Sequence, residues 1–466
     1  MKRSLRAVAD LCGAPLLGVD ADYNAVSTDT RTLARGDLFV GLKGLNFDGS
    51  AFVKAAADAG AVGAVVEKFV SDSVLSQVVV PDTLTALTQL ASSWRRQFKL
   101  PLLGVAGSNG KTTVKEMIAA ILRVAGETLA TRGNLNNHIG LPLTLLRLEG
   151  SHRFAVIEMG ANRAGDVAAL CRTAQPTIGI VTNAGAEHLE GFGSLDCVAR
   201  AEGEMFSGLV AGGVAIVNAD DAFAALWREM IAARPTPLRV SSFGVSAAAD
   251  FSAREIQADI GVDGFVTRFA LVTPQGKTQI ELKLAGMHNV LNAVGAAAAA
   301  CAAGATLDHV SAGLAGMRAV AGRLQFRLTR GGAWLIDDSY NANPSSMTAA
   351  IDVLASVSGR KWLVIGDMAE LGAHADQSHQ DIGTYARRHG IGCLFATGKL
   401  AAMSVEAYGA GAHWYPDVES LGRALETRLA AESNADLRVL IKGSRMNRLE
   451  RVVERLALPD NSRKAG

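Results

Sequence analysis

A lysine and two threonines close a run of small residues in "LLGVAGSNGKTTVKEM", Leu102 to Met117. Glycines free the backbone so that several N–H groups can converge on one anion, and a neighbouring lysine adds a mobile positive charge. That combination holds nucleotide phosphates. Lys111 would lie along the β- and γ-phosphates, and the Thr112 hydroxyl would ligate Mg²⁺. The strict pattern G-x-x-x-x-G-K-[ST] asks for glycine where Val105 stands, with Gly104 and Gly107 on either side. The displaced glycine argues against an ordinary hydrolase loop, not against phosphate binding. A Gly-rich turn with a surface lysine is the bland alternative. An apolar strand precedes the loop, and Val114, Met117, Ile118 and Ile121 follow it at helical spacing. Strand, loop and helix therefore stand in the order that a phosphate loop requires.

Other candidate groups follow other strands. Glu158 ends "FAVIEMG", where a carboxylate is well placed for Mg²⁺. His188, in "TNAGAEHLEGFG", follows a further strand in a Gly-rich loop. Glu202 and Glu204, in "VARAEGEMF", fall on an expected helix and, taken alone, read as a solvated face.

The elements that must position these groups alternate. "LLGVAG", "RFAVIEMG", "TIGIVTNAG" and "GVAIVNADD" are apolar strands separated by helical stretches. This alternation predicts a doubly wound parallel sheet, with ligands bound beyond the carboxyl ends of its strands. Residues 245 to 285 read as a β-rich insertion, closed by the Ala-rich helix after His288. Residues 1–98 form a small α/β domain, joined through "WRRQFKLP" to a central domain, 99–318. A third, Rossmann-like α/β domain, 319–466, has the strands "AWLIDDS", "KWLVIGD", "GCLFATG" and "LRVLIKG". The tail "PDNSRKAG" reads as disordered.

The 466 residues suffice for two to four domains, and 49% hydrophobic with 20% charged residues fits a globular protein. A net charge of +1 gives no pointer to nucleic acid or an anionic membrane. Five scattered cysteines without C-x-x-C spacing read as reduced, buried thiols. The start, "MKRSLRAVADLCGAPL", suits an amphipathic helix better than a secretion signal, and "AVGAAAAACAAGA" is too short to span a bilayer. A cytoplasmic enzyme is expected.

In order along nearly the whole chain, the motifs "STDTRTLARGDLFVGLKGLNFDGSAFV", "GVAGSNGKT", "TRGNLNNHIGLPLTLL", "IEMGANRAGD", "TNAGAEHLEGFGS", "LAGMHNVLNA", "AGRLQ", "DDSYNANPSSM", "GDMAELG" and "KGSR" resemble those of the Mur ligases. These are the ATP-dependent amide-forming enzymes of peptidoglycan synthesis. "DDSYNANPSSM" and "GDMAELG" resemble the member that adds D-alanyl-D-alanine. The resemblance implies addition of that dipeptide to UDP-N-acetylmuramoyl-tripeptide through an acyl phosphate, the last cytoplasmic step towards the pentapeptide precursor. It implies ATP and two Mg²⁺ ions, and a monomer.

The resemblance also implies roles. Gly107, Ser108, Asn109, Gly110, Lys111, Thr112 and Thr113 hold the ATP phosphates. Glu158 and His188 bind Mg²⁺ as ligands. Asn289 and Asn292, on one helix face, contact the adenine. Arg323 reaches the γ-phosphate from the last domain, and Asp338 holds the ribose with Tyr340 and Asn341 nearby. Lys111, Glu158, His188 and Arg323 form the catalytic set. Thr28, Asp29, Arg31, Lys43, Asn46 and Asp48 hold the nucleotide end of the first substrate.

One departure stands out. Family members usually carry a lysine in A-x-A-K-x-E that CO₂ converts to a carbamate ligating the second Mg²⁺. This chain reads "ARAEGE", with Glu202 in the lysine's place. Glu202 would supply the carboxylate directly. Rival readings are a sister ligase adding a single amino acid, a folate polyglutamate synthase, or a nucleotide-dependent switch. The long first domain with "DTRTLARGDLF" disfavours the folate enzyme.

Overall fold

The computed structural model describes residues 3–44, 47–187, 189–261, 264–431, 434 and 436–459. Asn46, His188 and the tail from residue 460 onward lie outside the described residues.

The described residues form three α/β units. The central one is built on a nine-stranded sheet. Leu102–Ala106 is an interior strand, third from one edge, paired in parallel with Phe154–Glu158 on one side and Ile178–Val181 on the other. Thr128–Ala130 is the edge beyond Phe154–Glu158. Val214–Asn218 and Arg239–Gly244 extend the sheet beyond Ile178–Val181. The strands Leu102–Ala106, Phe154–Glu158, Ile178–Val181 and Val214–Asn218 are buried throughout. Continuous apolar runs are what a parallel sheet covered on both faces demands. From Leu102–Ala106 the chain first builds towards Thr128–Ala130, then returns to build from Ile178–Val181. The reversal leaves a crevice beyond the carboxyl ends of these strands, the usual ligand position in such sheets.

The β-rich stretch from 245 onward is no separate insertion. Phe251–Gly261 pairs in parallel with Arg239–Gly244, and Gly264–Thr273 and Gly276–Leu282 continue the same sheet antiparallel. The helix Met287–Ala302 packs beneath. Its alanines permit close approach to the sheet, and Gly295 meets the Phe243 ring where a Cβ would collide.

The first unit has a five-stranded, mostly parallel sheet and the helix Leu5–Cys12, which buries Leu5, Val8 and Ala9. The last has a six-stranded sheet in which Trp334–Asp338, Leu437–Lys442, Arg360–Ile365, Cys393–Thr397 and Ala412–Tyr415 run parallel. The passage near "WRRQFKLP" is fixed rather than loose. Buried Arg95 donates to the carbonyls of Ala174, Phe98 and Leu100, and Trp94 Nε1 donates to Leu148 O. One apolar cluster runs from Leu5 and Leu90 of the first unit to Ile157 and Trp227 of the central one.

None of the five cysteines forms a disulfide, and they are not uniformly buried: Cys171, Cys301 and Cys393 are, Cys12 is half-buried, and Cys197 is exposed. Cys197 sits on the outward side of the first turn of the helix Leu195–Ser207, an orientation set by packing rather than by local pattern. Among the described residues, no helix is long and apolar enough to cross a membrane.

Candidate active site

The strand Leu102–Ala106 delivers the chain into the loop at Gly107. Gly107 has φ 119°, and a Cβ there would overlap Thr182 Oγ1. Gly110 has φ 81° and caps the helix Lys111–Ala125 without a side-chain hydrogen bond. Both positions require glycine. The uncapped helix end presents backbone N–H groups and positive potential to the crevice. Behind it, Val114, Met117, Ile118 and Ile121 are fully buried, so the apolar stripe anchors the loop.

A cavity of about 590 Å³ opens over this helix end. Ser108 to Thr113, Glu158, Asn289, Asn292, Arg323, Asp338, Tyr340 and Asn341 all stand on its wall. Residues far apart in sequence thus converge from two units. Gly107, which opens the loop, and Glu202, which lies beneath it, are not on that wall. The described residues assigned to the first substrate, Thr28, Asp29, Arg31, Lys43 and Asp48, stand away from this wall. Among them Arg31 pairs with Asp29 at 2.6 Å, and Lys43 with Glu67 at 3.4 Å.

Lys111 Nζ donates to the carbonyls of Gly107 and Ser108, and to Glu187 Oε1 at 3.0 Å. Burial alone would lower its pKa, but Glu187, Glu202 and Glu158 outweigh that and hold the ammonium above its ordinary value. Three carboxylates therefore surround one lysine.

Glu202 corrects the solvated-face reading. It is wholly buried, and its Oε2 accepts the Gly107 N–H at 2.7 Å. Burial pushes its carboxyl up to about 7, against the opposing pull of Lys111. Glu204, two residues on, accepts from the N–H groups of Gly165 and Ala168 and so caps the helix Asp166–Ala174. Glu158 Oε1 accepts from Asn136 Nδ2 at 2.8 Å. Glu158 Oε2 and Glu202 Oε1 are buried without a hydrogen-bond partner among the described residues. Buried oxygens left unpaired are costly unless another group fills their coordination.

Those two orphaned oxygens, with excess negative charge beside a phosphate cradle, fit a divalent cation. No group of three or more His, Cys, Asp or Glu side chains among the described residues is arranged to hold a metal. Mg²⁺ does not need one, since it keeps several waters and takes one or two carboxylates with substrate phosphates.

From the last unit, Arg323 Nη2 donates to Thr112 Oγ1 at 3.0 Å, its guanidinium 4.5 Å over the Tyr340 ring. Asp338 already has partners: Oδ1 accepts from Leu324 N, and Oδ2 from Lys442 Nζ at 2.6 Å. Asn292 Nδ2 donates to Asn289 Oδ1 at 3.2 Å. His288 faces Asp338 and Lys442, and burial lowers its pKa more than Asp338 raises it.

Three comparisons place this arrangement. The chain matches the Mur ligase family, catalytic domain, over residues 22–93, the Mur ligase middle domain over 105–300, and the Mur ligase, glutamate ligase domain, over 322–445. It is 43% identical to the UDP-N-acetylmuramoyl-tripeptide–D-alanyl-D-alanine ligase of Escherichia coli (strain K12), over 97% of this chain and 98% of that one.

The chain belongs to the Mur ligase family.

Its fold agrees with solved Mur ligases. A MurF structure from Acinetobacter baumannii superposes with a TM-score of 0.89 at 34% identity, covering 97% of this chain and 98% of that one. MurF from Thermotoga maritima, in complex with ADP, gives 0.79 at 27% identity, covering 93% and 96%. Within this Mur ligase, the sequence missed Glu187, Lys442 and Asn136 as site residues. "GAEHLEG", "KGSR" and "GNLNNHIG" contained them, but a partner 76 or 104 residues away leaves no local trace.

Proposed function

We propose that the chain joins D-alanyl-D-alanine to the terminal carboxylate of UDP-N-acetylmuramoyl-tripeptide, using ATP. The identity with the E. coli ligase over nearly the full length of both chains carries this reading. A carboxylate does not form an amide spontaneously in water, so it must first be activated. The γ-phosphoryl group of ATP passes to the carboxylate, giving an acyl phosphate and ADP. The dipeptide's free amine attacks the acyl carbon, and the tetrahedral adduct collapses with loss of inorganic phosphate and a proton.

The chain's residues act chiefly by alignment and charge neutralisation. Backbone N–H groups from Gly110 to Thr113 take the phosphates, while those of Ser108 and Asn109 are held by Asn183 and fix the loop that cradles them. Lys111 turns from Glu187 to the β- and γ-phosphates. Arg323 adds positive charge from the last unit, beside Thr112. Asn289 and Asn292 face the adenine. Asp338, held by Lys442, faces the ribose, with Tyr340 and Asn341 alongside. Mg²⁺, two ions in this reading, would be held by Thr112, Glu158, His188 and Glu202 and would neutralise charge on the group in transfer. Glu202 supplies a built-in carboxylate where relatives modify a lysine. Thr28, Asp29, Arg31, Lys43, Asn46 and Asp48 take the uridine end of the first substrate.

The units divide near 98/99 and 318/319 in this reading, and the enzyme works as a cytoplasmic monomer without nucleic acid or membrane. The test is phosphate release with each co-substrate omitted in turn, and with single amino acids in place of the dipeptide. Release requiring both UDP-tripeptide and D-alanyl-D-alanine is expected. Equal release without an acceptor would indicate a nucleotide switch, and preference for a single amino acid a sister ligase.

A further inference from the structure

The side chain of Asn109, in the middle of the phosphate loop, does not point at the phosphates' seat alone. Its Nδ2 donates to Ser345 Oγ at 3.0 Å, and its Oδ1 accepts from Asn343 Nδ2 at 2.8 Å. Both partners belong to the last unit, more than 230 residues away. The backbone of Asn109 is fixed just as firmly within the central unit. Its N–H donates to Asn183 Oδ1, and its carbonyl accepts from Thr182 Oγ1 and Asn183 Nδ2.

The partners are themselves preorganised. Asn343 caps the helix Pro344–Ser356, with Oδ1 accepting from Ser346 N at 2.8 Å and from Ser345 Oγ at 3.1 Å. An Asn amide has an acceptor end and a donor end, and both ends here are used across the unit boundary. Gly185 leaves the space for this crossing: a Cβ there would stand 2.9 Å from Asn109 Nδ2 and 3.1 Å from Ser345 Oγ.

We propose that Asn109, Asn343 and Ser345 form a latch that ties the conformation of the phosphate loop to the seating of the last unit, and so to the placement of Arg323. Phosphates that order the loop would orient the Asn109 amide and favour the seated arrangement. Seating in turn brings Arg323 to Thr112. The three are positioning residues. The proposal rests on the ligase reading above for its kinetic consequence, but not for its structural one.

Two measurements test it. The first is kinetics of Asn109→Ala, Ser345→Ala and the double variant, with folding checked by thermal melting. Ser345→Ala leaves the Asn343 cap on Ser346 in place and is the variant least able to disturb folding. A neutral hydrogen bond lost from the seated state should shift its population about three- to ten-fold. Each single variant is expected to lower kcat by about that factor, with KM for ATP changed less than about two-fold, and the double variant to match Asn109→Ala. A rise in KM for ATP confined to Asn109→Ala, with Ser345→Ala silent, would make Asn109 a plain phosphate ligand and overturn the latch. Fully multiplicative losses would also overturn it.

The second is fluorescence energy transfer between dyes on Cys197, exposed on the central unit, and on a Glu406→Cys variant of the last unit, with and without a non-hydrolysable ATP analogue and Mg²⁺. The analogue should raise transfer in the otherwise native enzyme and raise it less when Ser345→Ala is added. An unchanged response overturns the latch. This readout needs only nucleotide, so a protein that forms no amide product would sink the ligase reading and leave the latch decided on its own.

Discussion

Glu202 shows most plainly what one residue does here. It places a carboxylate under the phosphate loop, takes the Gly107 N–H with one oxygen and leaves the other without a partner among the described residues. Glu202→Gln keeps an acceptor for Gly107 but removes the charge. Turnover should fall about 10- to 100-fold, and the Mg²⁺ concentration for half-maximal rate should rise. A variant with native rate and native Mg²⁺ titration would exclude Glu202 as a ligand, and bicarbonate stimulation of the wild type would point to a lysine elsewhere. His288 gives a pH signature. Its pKa is lowered in the folded protein, chiefly by burial, so the unfolded chain binds its proton first as the solution acidifies. Its share of stability is complete above about pH 6.5 and is lost as pH falls from there towards the depressed value. Thermal melts from pH 7.5 to 5 should show the wild type losing stability faster than His288→Gln. Parallel curves would remove His288 as the cause.

At the scale of the element, the strand, glycine loop and helix around Gly107 were legible because their constraints are local. Gly107 and Gly110 have backbone angles that other residues avoid, and the stripe from Val114 to Ile121 follows helix geometry within a single turn or two. Gly107→Ala should strain the turn by about 1–3 kcal/mol and push into Thr182, raising KM for ATP. Unchanged nucleotide affinity, measured by calorimetric titration, would contradict this. The burial of Glu202 was not legible. The helix Leu195–Ser207 has charged residues on more than one side, and only the packing of that helix under the loop decides which of them faces inward. The β-rich stretch was read correctly as strand, but its register against Arg239–Gly244 is a long-range fact. The Arg95 bridge was likewise invisible, since its three carbonyl partners are set by tertiary approach. Arg95→Ala leaves those carbonyls buried and should cost roughly 3 kcal/mol, seen as a lower melting temperature.

At the scale of the whole molecule, the proposed catalytic set is complete only when the last unit stands against the central one. Arg323 reaches Thr112 across that boundary. Arg323→Ala should reduce kcat far more than it weakens ATP binding, because its charge matters most on the group in transfer. Comparable losses in both would argue against seating of the last unit as its role. Motif order along the chain made the three-unit α/β architecture readable, since successive groups of motifs fall within successive units. What order could not give is how firmly the units are joined. The first and central units share one continuous apolar cluster and the Arg95 bridge. The last unit has its own cores on both faces of its sheet, and among the described residues only Phe265 and Ala285 enter them from outside. In a calorimeter, the three units should therefore melt as two bodies: one heat-absorption peak for the fused pair and another for the last unit, drawn together when nucleotide bridges them.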